Sequence, residues 1–195
     1  DIASVVDDER MPSAPRLIIA PEYRDAVYDV SGISAITSSF RRAGPETVDQ
    51  RSHDNNQNAS ARACYEAKQR GATTALMYDA QGFLAEAFAS HVAVVRNGTL
   101  FTPCIRCCPE GVTRRVILEL CAASGIAAEE ADISSTQVQD ADELFIMGTM
   151  SGPVAVTKLD GQLVGNGQVG PSTRRLCDLY AAALLDESQS YPILA

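Results

Sequence analysis

Two helix-forming stretches that each stop on a glycine, with four short β-branched runs between them, constrain this chain more than any other feature of its 195 residues. In "NASARACYEAKQRG", Ala63 and Ala67 repeat at helical spacing and the pattern ends at Gly71. "GVTRRVILELCAASG" places Val112, Val116, Leu120 and Ala123 on one predicted buried face and closes on Gly125. Between them "TTALMYD", "GFLAEAF", "HVAVVRNG" and "TLFT" have the density of strands, and we expect them to form a meander. Asn97-Gly98 joins the last two as a hairpin turn. Upstream, "RLIIA" (16–20) and "GISAITSSF" (32–40) read as buried strands. Downstream come a strand in "IAAEEA", a short helix near "STQVQDA", a buried strand in "ELFIMGT", a hairpin about Asp160-Gly161 and a final helix in "GPSTRRLCDLYAAALL". Such mixing of periods predicts an α/β domain over residues 16–195, preceded at 1–15 by a linker or the end of a missing N-terminal domain.

Composition excludes several functions. The hydrophobic fraction of 46% and charged fraction of 21% suit one globular domain. A net charge of −9 repels phosphate backbones, and the basic residues are scattered, so no nucleic-acid partner is expected. No apolar run reaches the ~20 residues that span a bilayer, and the acidic N-terminus is too polar for a signal peptide, so we expect a cytoplasmic protein with no membrane partner. Six cysteines, three of them in "CIRCC" at 104, 107 and 108, have only His53 and His91 to join them in a zinc set, and they are read as reduced thiols with no metal. The glycosylation patterns at Asn58 and Asn97 are discounted.

Three features carry chemistry. Gly111, Val112 and Thr113 open a helix, where free amides, the helix dipole and a hydroxyl favour an anion. Gly148, Thr149 and Met150 form a small-residue turn after a strand, whose amides and hydroxyls could close on the same group. Glycines at these places are also routine punctuation. Glu86 lies in an apolar strand; it either faces water or points inward, where its charge needs a cation or a donor.

"YEAKQRGATTALMYDAQGFLAEAFASHVAVVRNGTLFTP", "PEGVTRRVILELCAASGI" and "ADELFIMGTMSGPVAVTKLDGQLVGNGQVGPSTRRL" in this order resemble the C-terminal domain of the class IV aminotransferases, fold-type IV pyridoxal-phosphate enzymes typified by branched-chain and D-amino-acid aminotransferases. The resemblance implies a large domain with a barrel-like mixed sheet flanked by helices. It implies that Glu86 meets the pyridine nitrogen, and that Gly111, Val112, Thr113 and Arg114 with Gly148, Thr149 and Met150 form the phosphate loops. It also puts His53 at the family's Schiff-base lysine and Asn56 at the asparagine of the same motif. The only lysines are Lys68 and Lys158, far from that position. Imidazole cannot hold the cofactor covalently but suits proton transfer near neutrality. Expected from the resemblance, then, is a branched-chain-aminotransferase-like enzyme acting on amino acids or oxo acids with altered chemistry. It would have His53 as acid/base and non-covalent pyridoxal 5'-phosphate or none, and would form a homodimer. Its N-terminal domain would be absent from the chain or supplied by a separate chain. The alternative is a degenerate member serving as a ligand-binding or partner subunit.

Overall fold

The structure is a computed structural model that describes residues 28–29, 31–49 and 56–186. The predicted strand at 16–20 and the segment containing His53 lie outside the described residues. The elements run β1 (Ile33–Arg41), α1 (Asn58–Gln69), β2 (Thr74–Tyr78), β3 (Leu84–Ala87), β4 (His91–Arg96), β5 (Thr99–Pro103), α2 (Val112–Ala123), β6 (Ala128–Ala131), α3 (Ser135–Gln139), β7 (Glu143–Gly148), β8 (Gly152–Leu159), β9 (Gln162–Leu163) and α4 (Pro171–Leu184). Among the described residues no helix is long and apolar enough to cross a membrane.

Local chemistry sets the boundaries. Gly71 (φ 69°) and Gly125 (φ 66°) adopt the left-handed conformation just past α1 and α2. Each closes a helix by a six-to-one bond, Ala72 N–H to Ala67 C=O at 2.9 Å and Ile126 N–H to Cys121 C=O at 2.9 Å. The Asn97-Gly98 and Asp160-Gly161 pairs all have positive φ, the conformation of two-residue hairpin turns whose twist matches the flanking strands.

One mixed sheet runs in the order β3-β2-β1-β8-β7-β4-β5-β6, with β9 pairing to β8. It curls until its two edges meet: Phe83 bridges Ser134, and the Leu84 N–H donates to Ile133 C=O at 2.8 Å. The interior is filled by alternate residues such as Leu76, Tyr78, Val92, Val94, Leu144 and Ile146. Their neighbours Ala93, Val95, Phe145 and Met147 face outward under α2 and α4 with Ile117 and Leu176, while Ala75 and Met77 pack under Ala63 and Ala67 of α1. Both faces of the central strands are thus buried, and their sequences are apolar throughout rather than alternating.

Two expectations fail here. The four strands β2 to β5 do not form a meander: β3 pairs with β2, but β4 pairs with β7 and β5, and only the isolated Ala87–Ser90 bridge links the two pairs. The short 88–90 corner sends the chain across the half-barrel because β7 offers β4 a longer apolar partner. The buried face of α2 is also one residue later than predicted. Thr113, Arg114, Ile117 and Cys121 are buried and Val112 is 64% exposed, because hydrogen bonds let Arg114 sit inside and release Val112 to the surface.

Candidate active site

Antiparallel pairing of β4 with β7 puts His91 opposite Met147, so the start of β4 and the end of β7 share one end of the half-barrel. The loop after β5 returns to the same end and launches α2. Between them lies a cleft of about 540 Å³, walled on one side by Gly111, Val112 and Thr113 and on the other by Met147, Gly148 and Thr149, with His91 between. The two loops singled out in the sequence therefore converge. Asn56 lies exposed, two residues ahead of α1, and Met150 is 64% exposed, one residue past the lining.

The α2 terminus is built for close approach. Its N-cap is Gly111, in extended conformation and with no side-chain cap, so the first amides of the helix face the cleft end uncapped. A Cβ on Gly111 would collide with the His91 ring, which would have to shift to admit it. That ring is fixed in turn by a 2.8 Å contact from Nε2 to the Pro109 carbonyl; since a carbonyl only accepts, Nε2 carries the proton. Arg114 has a different task from its neighbours. It is buried, donates to Thr102 Oγ1 (3.3 Å) and Pro103 C=O (2.9 Å), and pairs with Glu130 at 3.1 Å, which fastens α2 to β5 and β6.

Behind His91 stands Glu86, 7% exposed, with all four residues of β3 buried, so the inward alternative holds. Its cation is Arg42, whose Nε lies 2.8 Å from Glu86 Oε1 and also donates to the Cys107 carbonyl at 3.0 Å, while Nη1 reaches Ser60 Oγ at 3.2 Å. Burial pushes the Glu86 carboxyl up to about 7, and Arg42 pulls it back only in part. The ion pair and the raised value are compatible because the guanidinium divides its donors among three acceptors while desolvation acts on the whole carboxylate. Cys108 is buried nearby, its thiol pushed up to about 12 first by burial and then by Glu86.

Glu86, His91 and Cys108 bring a carboxylate oxygen, a ring nitrogen and a sulfur within 4.8 Å of one another, the one such group among the described residues. A metal there would have to compete with Arg42 for the carboxylate. The donor set around Glu86 fits instead a planar cationic or hydrogen-bonding partner beside a phosphate. Uncapped amides lie at Gly111–Thr113 and a glycine turn faces them; Glu86 is not among the described lining residues, but its carboxylate lies within 4.8 Å of a ring nitrogen of His91, which is, and this set fits a pyridine ring with a phosphate arm. Neither lysine is near: Lys68 and Lys158 are exposed, on α1 and β8, and neither lines the cleft.

Arg42 and His91 escaped the sequence reading as site residues. The signal for Arg42 was a basic residue immediately after a buried strand; for His91 it was a lone imidazole opening an apolar strand five residues after a suspected buried acid.

The profile of the family Amino-transferase class IV matches residues 7–159. The chain is 34% identical over 178 residues to branched-chain-amino-acid aminotransferase-like protein 1 of Arabidopsis thaliana, covering 91% of this chain and 32% of that protein. It is 33% identical to the branched-chain-amino-acid aminotransferase of Pseudomonas aeruginosa, covering 76% of this chain and 49% of the other. Among solved structures, an aminotransferase from Brucella abortus bound to the co-factor PLP superposes with a TM-score of 0.77 at 30% identity, covering 83% of this chain and 57% of that one. The chain thus spans about a third of the plant relative's length and about half of the bacterial ones.

Proposed function

This chain belongs to the class IV aminotransferases, and from that premise we propose that it is the cofactor-binding half of a branched-chain-aminotransferase-like enzyme that holds pyridoxal phosphate without a covalent bond. One observation carries the reading: the α2 terminus and the β7–β8 turn meet on a single cleft with a buried carboxylate behind it. The Gly111–Thr113 and Gly148–Thr149 loops would hold the phosphate, and Glu86 the ring nitrogen. When bound, this cofactor supplies an aldehyde for an amino group and a ring that draws electron density from the α-carbon.

The chain's own residues do the rest. Backbone amides, being fixed by helix and turn, bind the phosphate without reorganisation. Arg42 keeps Glu86 anionic enough to accept a proton-bearing nitrogen, while burial keeps water from screening that contact. His91 holds Pro109 and Gly111 in place from the rear. His53 moves the proton that a lysine would otherwise carry, acting on an amino-acid or oxo-acid substrate, in a homodimer. A second reading, a binding subunit without turnover, is favoured by the same absence of lysine from the cleft lining.

Borohydride treatment of the chain with pyridoxal phosphate, followed by intact-mass measurement, should leave the protein mass unchanged and the cofactor removable by gel filtration. A stable adduct on Lys68 or Lys158 would sink the non-covalent proposal. With cofactor bound, exchange of the α-proton of leucine into deuterated water, lost in His53→Ala, supports an enzyme; cofactor binding without exchange supports the binding subunit.

A further inference from the structure

The loop between β5 and the cleft-lining residues Pro109 and Glu110 contains a feature the cofactor reading does not use. After β5 the chain runs Cys104-Ile105-Arg106-Cys107-Cys108. Ile105 and Arg106 form a two-residue turn, tightened by the Arg106 N–H donating to the Cys104 carbonyl at 2.8 Å. A turn of four residues brings its end Cα atoms within about 7 Å, and disulfides span about 4.4–6.8 Å. The two thiols also share a cation. The Arg106 guanidinium is close enough to be raised by Cys104, after its main partner Asp132, and to oppose the upward push of burial and Asp79 on Cys107.

The pair is asymmetric. Cys104 is partly exposed and Cys107 is 4% exposed. The first can meet a solution reagent and the second cannot. Cys108 is buried, with its sulfur within 4.8 Å of a Glu86 carboxylate oxygen and a His91 ring nitrogen. The backbone carbonyl of Cys107 accepts from Arg42 Nε, which also pairs with Glu86, so the turn is tied to the charge pair behind the cleft.

We propose that Cys104 and Cys107 form a reversible intramolecular disulfide, and that closing it alters the Arg42–Glu86 pair through the Cys107 carbonyl. The oxidant is a low-molecular-weight disulfide such as oxidised glutathione. The Cys104 thiolate attacks one of its sulfurs, the reagent's S–S bond breaks, and one thiolate leaves. Cys107 then attacks the Cys104 sulfur of the mixed disulfide and expels the second thiolate. Two protein thiols are oxidised, one reagent disulfide is reduced to two thiols, and the two protein protons pass to them.

The test uses the full chain equilibrated in oxidised glutathione, quenched by alkylation and read by intact mass and peptide mapping. The wild type should show residues 104 and 107 joined with no glutathione on either, any adduct on the partly exposed Cys64 or Cys177 being assigned by peptide mapping. Cys107→Ser should trap a single glutathione on Cys104, Cys104→Ser should leave Cys107 free, and Cys108→Ser should still form the bond. A wild type in which Cys104 and Cys107 stay reduced, Cys104 keeps its glutathione adduct, or either residue joins Cys108 overturns the site. Coupling is read separately, as the slope of unfolding free energy against pH between about 4.5 and 8, where Glu86 titrates. Oxidised and reduced wild type should differ in slope while Cys104→Ser, treated identically, does not move; equal slopes overturn the coupling.

Discussion

Two of the described helices begin at glycine, and their termini are treated in opposite ways. At α4, Glu143 on the first position of β7 accepts from the Ser172 and Thr173 N–H groups at 2.9 and 2.8 Å and from the Thr173 hydroxyl at 2.7 Å, and Gly170 leaves room for that carboxylate. At α2, Gly111 leaves room for an imidazole, no side chain among the described residues caps the helix, and the amides look into a cleft. The chain carries its own anion to one helix and leaves the other to an anion from outside. The difference separates structure from site: a terminus satisfied internally is part of the core, and one held open by a packed glycine has a ligand's share of the bonding to give away.

Removing the internal anion should have the largest effect. Glu143→Leu strips three donors of a charged acceptor, at a cost on the order of 4 kcal/mol. Urea unfolding should show that loss, with the affinity of the surviving folded fraction for phosphate little changed. Equal loss of both would mean that the two termini are not independent.

A second buried carboxylate sharpens the comparison, since Glu86 is matched by a guanidinium rather than by amides. Its pKa rises from 4.5 unfolded to about 7 folded, so it is neutral in both states at low pH, and stability is lost as pH climbs through the folded value. The loss amounts to roughly 3 kcal/mol between pH 4 and 8, at about 1.36 kcal/mol per pKa unit. Glu86→Gln should flatten that part of the pH–stability curve; an unchanged slope would place the titration elsewhere.

The smallest effects belong at the open terminus itself. Gly111→Ala drives a methyl into the His91 ring and should cost about 1–3 kcal/mol, read as at least a tenfold loss in calorimetric phosphate affinity. Met150→Ala, altering a side chain outside the lining, should change stability by less than about 0.5 kcal/mol and leave the affinity alone. If Met150→Ala weakens phosphate as much as Gly111→Ala does, side chains rather than amides hold the anion.

Much of this was legible because local chemistry wrote it. The hairpins at Asn97-Gly98 and Asp160-Gly161 and the glycine stops after α1 and α2 each depend on residues a few positions apart, whereas the sequence left Glu86 open between water and the interior. What escaped depends on distant partners. Nothing within β3 or β4 says that β4 will choose β7, and nothing near Arg42 says that it will meet Glu86. The shift of the α2 face came from reading hydropathy alone, since Val112 is more apolar than Arg114 yet Arg114 is the one that finds partners inside.

The strand pairings also dictate an order of assembly. Among the described residues, those lining the cleft fall within 89–149, and β4, β5, β6 and β7 pair among themselves. By contrast β1, the earliest of the described strands, is paired along one side with β8, Ile33 opposite Val156, and so must wait with that side open until most of the chain exists. Contacts of such long range form late and leave an unpaired strand edge in the meantime. The β1–β3 portion is therefore the part of the molecule most exposed to mispairing during folding. The anion cleft belongs to a contiguous unit able to close before it, and hydrogen exchange should find β4 and β7 protected earlier in refolding than β1.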